Sequence, residues 1–355
     1  PCRIDGIVTG CILAAGRIVG KSAALLFTAG AAGVIAKSVA KAYTSNGATL
    51  SVLLYLRAFE DGDFDSAWGI GAVLLVLVII PGVGVYINGS RRWLSLGGLS
   101  FQPSEIAKFA VVLYMATTLT YRGERIRRLF TGIVPVLVVP GVVFLLILEQ
   151  PNLSTAGSIL IVSLILIIMA GAKWRHILLM LVGGLGVGAF YAWSEPYRRR
   201  RLLSFRNPFS MMSDEGYQLS QSLIAFGSGG IFGMGLGMGR QKYAYLPYPE
   251  SDFIFAIVGE DFGLLGCLIV VALFVALMLR GMRIAMRCPD KFGTLLAAGI
   301  TSSISVQAFL NMGVVVGILP TTGLPLPFFS AGGTSISITM AAIGILLNIS
   351  RESAI

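Results

Sequence analysis

GSGGIFGMGLGMGRQKYAYLPYPESDFIFAIVGEDFG, residues 227–263, decides how the rest of the chain is read. It opens as a glycine-rich apolar run, passes through Arg240, Lys242 and three tyrosines, turns at Pro247 and Pro249, and presents Glu250 and Asp252. From Phe253 onward the chain becomes a long apolar helix candidate. A carboxylate therefore stands where a polar loop meets a helix long and apolar enough for a bilayer, whose hydrocarbon core needs about 20 such residues.

The composition extends this reading to the whole chain. Its 355 residues are 55% hydrophobic and 12% charged, with mean hydropathy +0.83. Soluble domains carry roughly 25% charged residues. Apolar runs of about 17–25 residues recur throughout, which argues an all-α integral membrane protein, a helical bundle and not a barrel. No large soluble domain fits between the runs, so residues 1–355 are expected to form a single polytopic membrane domain. The net charge of +10 points to an anionic membrane surface or an anionic ligand. Nucleic acid is not an expected partner, because no compact basic domain exists to bind it. The four cysteines (Cys2, Cys11, Cys267 and Cys288) and the single histidine, His176, lack metal-ligand spacing, which argues against a zinc site or a disulfide framework. Residues 1–5 are too short for a cleavable signal peptide.

Ten membrane segments are expected: 6–36, 47–58, 68–87, 104–121, 131–148, 155–170, 175–193, 253–280, 293–317 and 333–350. The first two are interrupted by Arg17, Lys21 and Arg57. Three loops are basic, with Arg122, Arg125, Arg127 and Arg128 in one, Lys173, Arg175 and His176 in the next, and Arg280, Arg283, Arg287 and Lys291 in the third. The positive-inside rule places these loops, and with them both termini, in the cytoplasm. Residues 89–102, 149–154, 194–252 and 320–330 then face outward. The 194–252 segment is a large extracytoplasmic loop between the seventh and eighth helices, re-entrant or partly helical. That outer side also carries Arg91, Arg92, Arg198 to Arg201, Arg206, Arg240 and Lys242. Long loops translocate regardless of charge, which accounts for the arginine run as well as an anion site does. For Arg240 and Lys242 the anion reading is favoured, since they share a stretch with Asp252 and cations there would clamp a phosphate.

Several residues admit both a structural and a chemical role. Ser251 or Asp252 is a natural N-cap for a helix starting at Phe253. Asp252 is equally suited as a general base, kept ionised by the helix dipole. Glu260 lies roughly 12 Å deeper along the helix at 1.5 Å per residue. It and Asp261, which should point to another side, read first as paired structural charges. In NGSRRWLSLGGLSFQPSEIAKFAVVLYMA (88–116), Trp93 suits the membrane interface, and Glu105 and Lys108 form an i,i+3 pair. That pair is either a helix-start ion pair or the lining of a cavity open to the outside. PTTGLPLPFFSAGG (320–333) must be an irregular outer loop before the last helix, tolerated at membrane depth only beside protein or a cavity. The alternating glycines Gly233, Gly235, Gly237 and Gly239 lack the context of a nucleotide motif and read as close packing of backbone.

These clusters together resemble the SEDS family (shape, elongation, division and sporulation), the membrane peptidoglycan polymerases. The matching stretches are NGSRRWLSLGGLSFQPSEIAK (88–108), QPNLSTA (150–156), GYQLSQSLIAFGSGG (216–230), LPYPESDFIFAIVGEDFG (246–263) and GILPTTGLPLPFFSAGGTS (317–335), in the family's order and spacing. Without a long cytoplasmic tail, the chain looks closest to the rod-elongation members. The resemblance implies a ten-helix fold and a glycosyltransferase that polymerises lipid II at the outer face of the bacterial cytoplasmic membrane. It implies Asp252 as the essential catalytic residue, a functional role for Trp93, and a match of Glu105 and Lys108 to the family's QPSE-x-x-K pair. The implied partners are lipid II, the nascent glycan strand, membrane lipids and a class B penicillin-binding transpeptidase. The family's PEAHTDF reads PYPESDF here, with Glu250 in place of a histidine. Its QPDLGTA reads QPNLSTA, with Asn152 and Ser154 in place of Asp and Gly.

The implied chemistry fits the residues. An acceptor hydroxyl needs a base, which Asp252 supplies, with Glu250 able to assist it. The departing lipid diphosphate needs positive charge, from Arg240, Lys242 or a divalent cation (magnesium or manganese) held through Asp252. The implied α-linked donor and β-linked product need one inverting displacement. The rival reading is a lipid-precursor flippase or transporter, since intramembrane charges and broken helices also mark those. No inverted repeat is visible, which favours the enzyme.

Overall fold

The computed structural model describes Leu75, Val76, Val78, Arg199 and residues 84–87, 90–96, 99–150, 152–194, 205–211, 216–247 and 250–352. The expected segments 6–36 and 47–58 lie outside them. The fold is mostly helical. Its helices are α1 (Pro103–Arg122), α2 (Val134–Leu148), α3 (Leu153–Met169), α4 (Trp174–Ser194), α5 (Tyr217–Gly229), α6 (Ile254–Arg287), α7 (Lys291–Val315) and α8 (Gly333–Glu352). With the π-helical turn Leu129–Ile133 that precedes α2, four spans among the described residues are long and apolar enough to cross a membrane: Leu129–Leu148, Ile254–Arg287, Lys291–Val315 and Gly333–Arg351.

Local chemistry sets the boundaries. Pro103 occupies the first turn of α1, with Glu105 near its positive end and Arg122 near its negative end. Gly123, at φ 49°, ends that helix. Asn152 caps α3 by accepting from the Thr155 amide at 3.3 Å, and Asp290 caps α7 by accepting from Gly293 at 2.9 Å. The Asn that replaces the family's Asp in QPNLSTA thus still does a cap's work. Helix α7 is the centre of the bundle: 72% of its most apolar window is buried, against 22–33% in the other three spans. It packs against α6, α1 and α3. Leu185 of α4 and Ile269 of α6 are exposed, as lipid-facing side chains should be.

Two features depart from an all-helical expectation. The chain at 84–101 is not helix. It forms a three-stranded antiparallel sheet of β1 (Gly84–Ile87), β2 (Ser90–Leu96) and β3 (Leu99–Phe101), in the order β1-β2-β3. The expected 68–87 span therefore ends in a strand. The run RRWLSL is short, carries an aromatic residue, and is flanked by Asn88–Gly89 on one side and Gly97–Gly98 on the other, which favours hairpins over a helix.

The second departure is inside α6, which is not continuous. Gly263 sits at φ 66°, ψ −162°, a conformation essentially reserved for glycine. In an unbroken helix, Leu264 and Leu265 would donate to Glu260 O and Asp261 O. Here they donate to Gly230 O (2.9 Å) and Ile231 O (3.2 Å), and the two vacated carbonyls accept from Met234 (3.0 Å) and Gly235 (3.1 Å). The glycine-rich run is spliced into the helix break and gives each of the four freed backbone groups a partner. That is what apolar surroundings demand of an interrupted helix. The approach is close enough to require glycine: a Cβ on Gly233 would lie 2.2 Å from Asp261 O, and one on Gly229 would lie 2.0 Å from Gly259 O.

Candidate active site

The splice brings carboxylates and amides together. Glu260 and Asp261, 1% and 7% exposed, follow one another on α6, yet both turn to the same loop. Glu260 accepts from the backbone amides of Arg240 (2.7 Å) and Gln241 (3.1 Å). Asp261 accepts from Gly237 and Gly239, 3.2 Å each. Its third partner is Lys242, whose Nζ lies 2.8 Å from Oδ2. The expectation that Asp261 points elsewhere is corrected here. The loop wraps over the helix break far enough to meet both side chains. Lys242, expected beside Asp252, is paired with Asp261 instead. Arg240 presents its side chain outward and is exposed.

Asp252 is placed differently. It does not cap α6: Phe253 is the N-cap residue, and no side chain caps that end. The Asp252 carboxylate is half-buried and accepts from the Ser251 hydroxyl at 2.9 Å. Its Oδ2 faces Gly323 of the Pro320–Gly333 loop, 3.4 Å from where a Cβ would stand. The Asp252 main-chain oxygen accepts from Asn311 Nδ2 at 2.7 Å, and the same nitrogen donates to Leu324 O at 2.7 Å. Ala331 donates to Glu250 O at 2.9 Å, while Glu250 itself is exposed. Two of the sequence motifs, 246–263 and 317–335, are thus joined on both sides of Ser251, directly at Glu250 and through the Asn311 side chain at Asp252.

The 320–333 loop is held from below. Gln307, one turn before Asn311 on α7, donates to Pro325 O at 2.9 Å. Its Oε1 accepts from Lys108, and Lys108 pairs with Glu105 at 2.8 Å, with side chains only 8% and 5% exposed. The loop closes on itself through Ser330: Leu326 donates to the Ser330 hydroxyl at 2.7 Å, and Ser330 donates back to Leu326 O at 3.0 Å. Phe328 takes a positive φ of 68°, rare for a residue with a side chain, and its ring stacks on Phe274 at 6.3 Å. A cavity of about 30 Å³ lies beside Glu105, Lys108, Ser303, Gln307 and Thr339. It has room for one or two waters next to the ammonium. The ion pair is fully inside the bundle.

Trp93 is half-buried on β2, opposite Val85. The neighbouring Arg92 Nε donates to Gln150 O at 3.0 Å. That bond ties the 88–108 motif to the 150–156 motif. Sequence reasoning missed Gln307, Asn311, Gly323 and the break at Gly263. A Gln and an Asn one helical turn apart in a membrane span were the available signal, since buried amides demand partners.

Among the described residues, no three His, Cys, Asp or Glu side chains gather as a metal cage. The half-buried Asp252 carboxylate, flanked by an exposed Glu250, suits only a cation shared with a substrate's phosphate oxygens, the mode magnesium prefers.

Comparisons with known proteins agree with one another. The family model FtsW/RodA/SpoVE, described as cell cycle protein, matches residues 17–355. The probable peptidoglycan glycosyltransferase FtsW of Geobacter sulfurreducens is 44% identical over 279 residues, covering 79% of this chain and 75% of that protein. Stage V sporulation protein E of Bacillus subtilis is 44% identical over 280 residues, covering 79% and 76%. Among solved structures, a chain from a study of how a peptidoglycan synthase complex coordinates polymerization and crosslinking has TM-score 0.70 and 27% identity, covering 96% of this chain and 97% of that one. The rod shape determining protein RodA of Thermus thermophilus has TM-score 0.60 and 28% identity, covering 98% and 95%.

Proposed function

The chain belongs to the FtsW/RodA/SpoVE family and is a peptidoglycan glycosyltransferase, and from that premise we propose that it joins lipid II molecules by inverting glycosyl transfer with Asp252 as general base. The acceptor sugar hydroxyl attacks the donor's anomeric carbon. The bond from that carbon to the lipid diphosphate breaks, its electron pair leaves with the diphosphate, and the hydroxyl proton passes to Asp252. One displacement converts an α linkage to a β linkage, with no covalent enzyme intermediate. The exposed Arg240 side chain meets the diphosphate charge. Trp93, Lys108, Glu105, Lys242 and Glu250 shape and support the site. A divalent cation, where used, would be held by Asp252 and the diphosphate and would offset the leaving group's charge.

The observation that carries this reading is the setting of Asp252: a half-buried carboxylate between two family motifs, held by its main chain and turned toward the 320–333 loop. The site faces outward in a ten-segment topology, and a class B transpeptidase is its partner. The similar chain solved in a peptidoglycan synthase complex that coordinates polymerization and crosslinking supports that partner. The relatives' names support an enzyme over a transporter.

The test is polymerisation of purified lipid II by Asp252→Asn. General bases contribute about 10²–10⁴-fold; a folded variant at wild-type rate would remove Asp252 from the mechanism. We place the protein in elongation, on its likeness to RodA. The higher identity to FtsW and to Stage V sporulation protein E favours a second assignment, division or sporulation. Rescue of rod shape, set against rescue of septation and of sporulation, decides between them.

A further inference from the structure

We infer that Asn311 is a positioning residue for the Asp252 carboxylate, an inference that rests on the reading of Asp252 as the base. Asn311 is 2% exposed, so it does not reach substrate. Its Nδ2 has two protons, and both go to main-chain carbonyls of different loops, Asp252 O and Leu324 O. Asn311 therefore sets the height of the Asp252 backbone against the 320–333 loop, and with it the contact between Oδ2 and Gly323.

An amide suits this task. Its forked donors bridge two carbonyls, and it brings no charge beside the base, as Lys or Arg would. The base of the clamp is firm, because Gln307 on the previous turn is fixed by Lys108, which Glu105 fixes in turn. Catalysis needs this precision. A misplacement of about 1 Å in a reacting group can cost 10²-fold.

The experiment is steady-state polymerisation of purified lipid II, scored per folded molecule. Asn311→Ala removes both donors, and kcat should fall about ten- to hundredfold with KM unchanged. Asn311→Asp, of the same size but with no donors, should fall at least as far. Should either fail to fold, Asn311→Ser, whose single hydroxyl can serve at most one of the two carbonyls, should still lower kcat at constant KM. In an Asp252→Asn background, Asn311→Ala should remove no further residual rate, since no base is left to misplace. Wild-type kcat in folded Asn311→Ala or Asn311→Ser would overturn the inference. So would a raised KM at constant kcat, or an undiminished loss in the Asp252→Asn background. An Asp252→Asn protein at wild-type rate would sink the base reading itself, and this inference with it.

Discussion

Asp252 and the Glu260–Asp261 pair stand within one short stretch at the start of the same helix, yet the fold treats them in opposite ways. Glu260 and Asp261 are buried and receive amide protons from Gly237, Gly239, Arg240 and Gln241. Asp252 is half-buried, takes a hydroxyl bond from its neighbour, and is held by its main chain. A carboxylate saturated by fixed amides can do little but hold them, because protonating it would break several charge-assisted bonds. A carboxylate whose main chain is clamped can hold its place while its protonation changes. The difference agrees with the sequence reading of Glu260 and Asp261 as paired structural charges, and it shows that the kind of donor distinguishes them from Asp252.

The sharpest way to break this comparison is to neutralise each carboxylate in turn. Asp252→Asn should abolish polymerisation by about 10²–10⁴-fold while the protein purifies and melts like wild type. Glu260→Gln should do the reverse. It replaces an acceptor of two amides with a weaker one, costing about 1.5–3 kcal/mol. Thermal denaturation in detergent should shift down, with activity per folded molecule near normal. A stable Glu260→Gln enzyme that has lost activity would erase the distinction.

Next in size is Gly263→Ala. The added Cβ would lie 2.4 Å from Gly233 N and 2.5 Å from Ile231 O, both backbone atoms. The conformation alone costs about 1–3 kcal/mol for a residue with a side chain. The variant should lose folded yield sharply. If it melts as wild type does, the splice is not what holds the glycine run and its amides under Glu260 and Asp261.

Trp93→Ala tests the far side of the site. The ring is half-buried on the sheet, so its loss should lower activity several-fold without unfolding the bundle, the exposed part of the ring being what a substrate would meet. Reduced folded yield at constant specific activity would assign Trp93 to packing.

Much of this was legible beforehand. Segments 104–121, 131–148, 155–170, 175–193, 293–317 and 333–350 match observed helices closely, because hydropathy and flanking charge are local signals; 253–280 instead runs on to Arg287, so Arg280, Arg283 and Arg287, expected in a loop, stand on α6. The sheet at 84–101 was not legible, since an apolar run before a strand hides where helix ends. The cap reading of Asp252 failed because the helix starts one residue later than its apolar run, at Ile254. The break at Gly263 was invisible for a deeper reason. A helix is interrupted there only because a segment some 30 residues earlier supplies four hydrogen bonds, and nothing in the local sequence records a distant partner. The same holds for Gln307 and Asn311, whose amide nitrogens donate to main-chain oxygens that any residue could supply.

The smallest expected effect separates two cations that sequence treats alike. Arg240 and Lys242 are two residues apart, and both were expected to meet an anion beside Asp252. The structure commits the Lys242 ammonium to Asp261 and leaves the Arg240 side chain exposed. Lys242→Met should therefore act on stability, since Asp261 loses its ion pair but keeps two amide donors. Arg240→Ala removes a screened surface charge, worth about 1 kcal/mol or less. It should raise KM for lipid II a few-fold at unchanged kcat, and the effect should shrink as salt is raised. Its backbone amide still serves Glu260, so melting should not change. If Lys242→Met alters KM and Arg240→Ala does not, the anion is met by the paired cation, and the Asp261 contact must open when substrate binds.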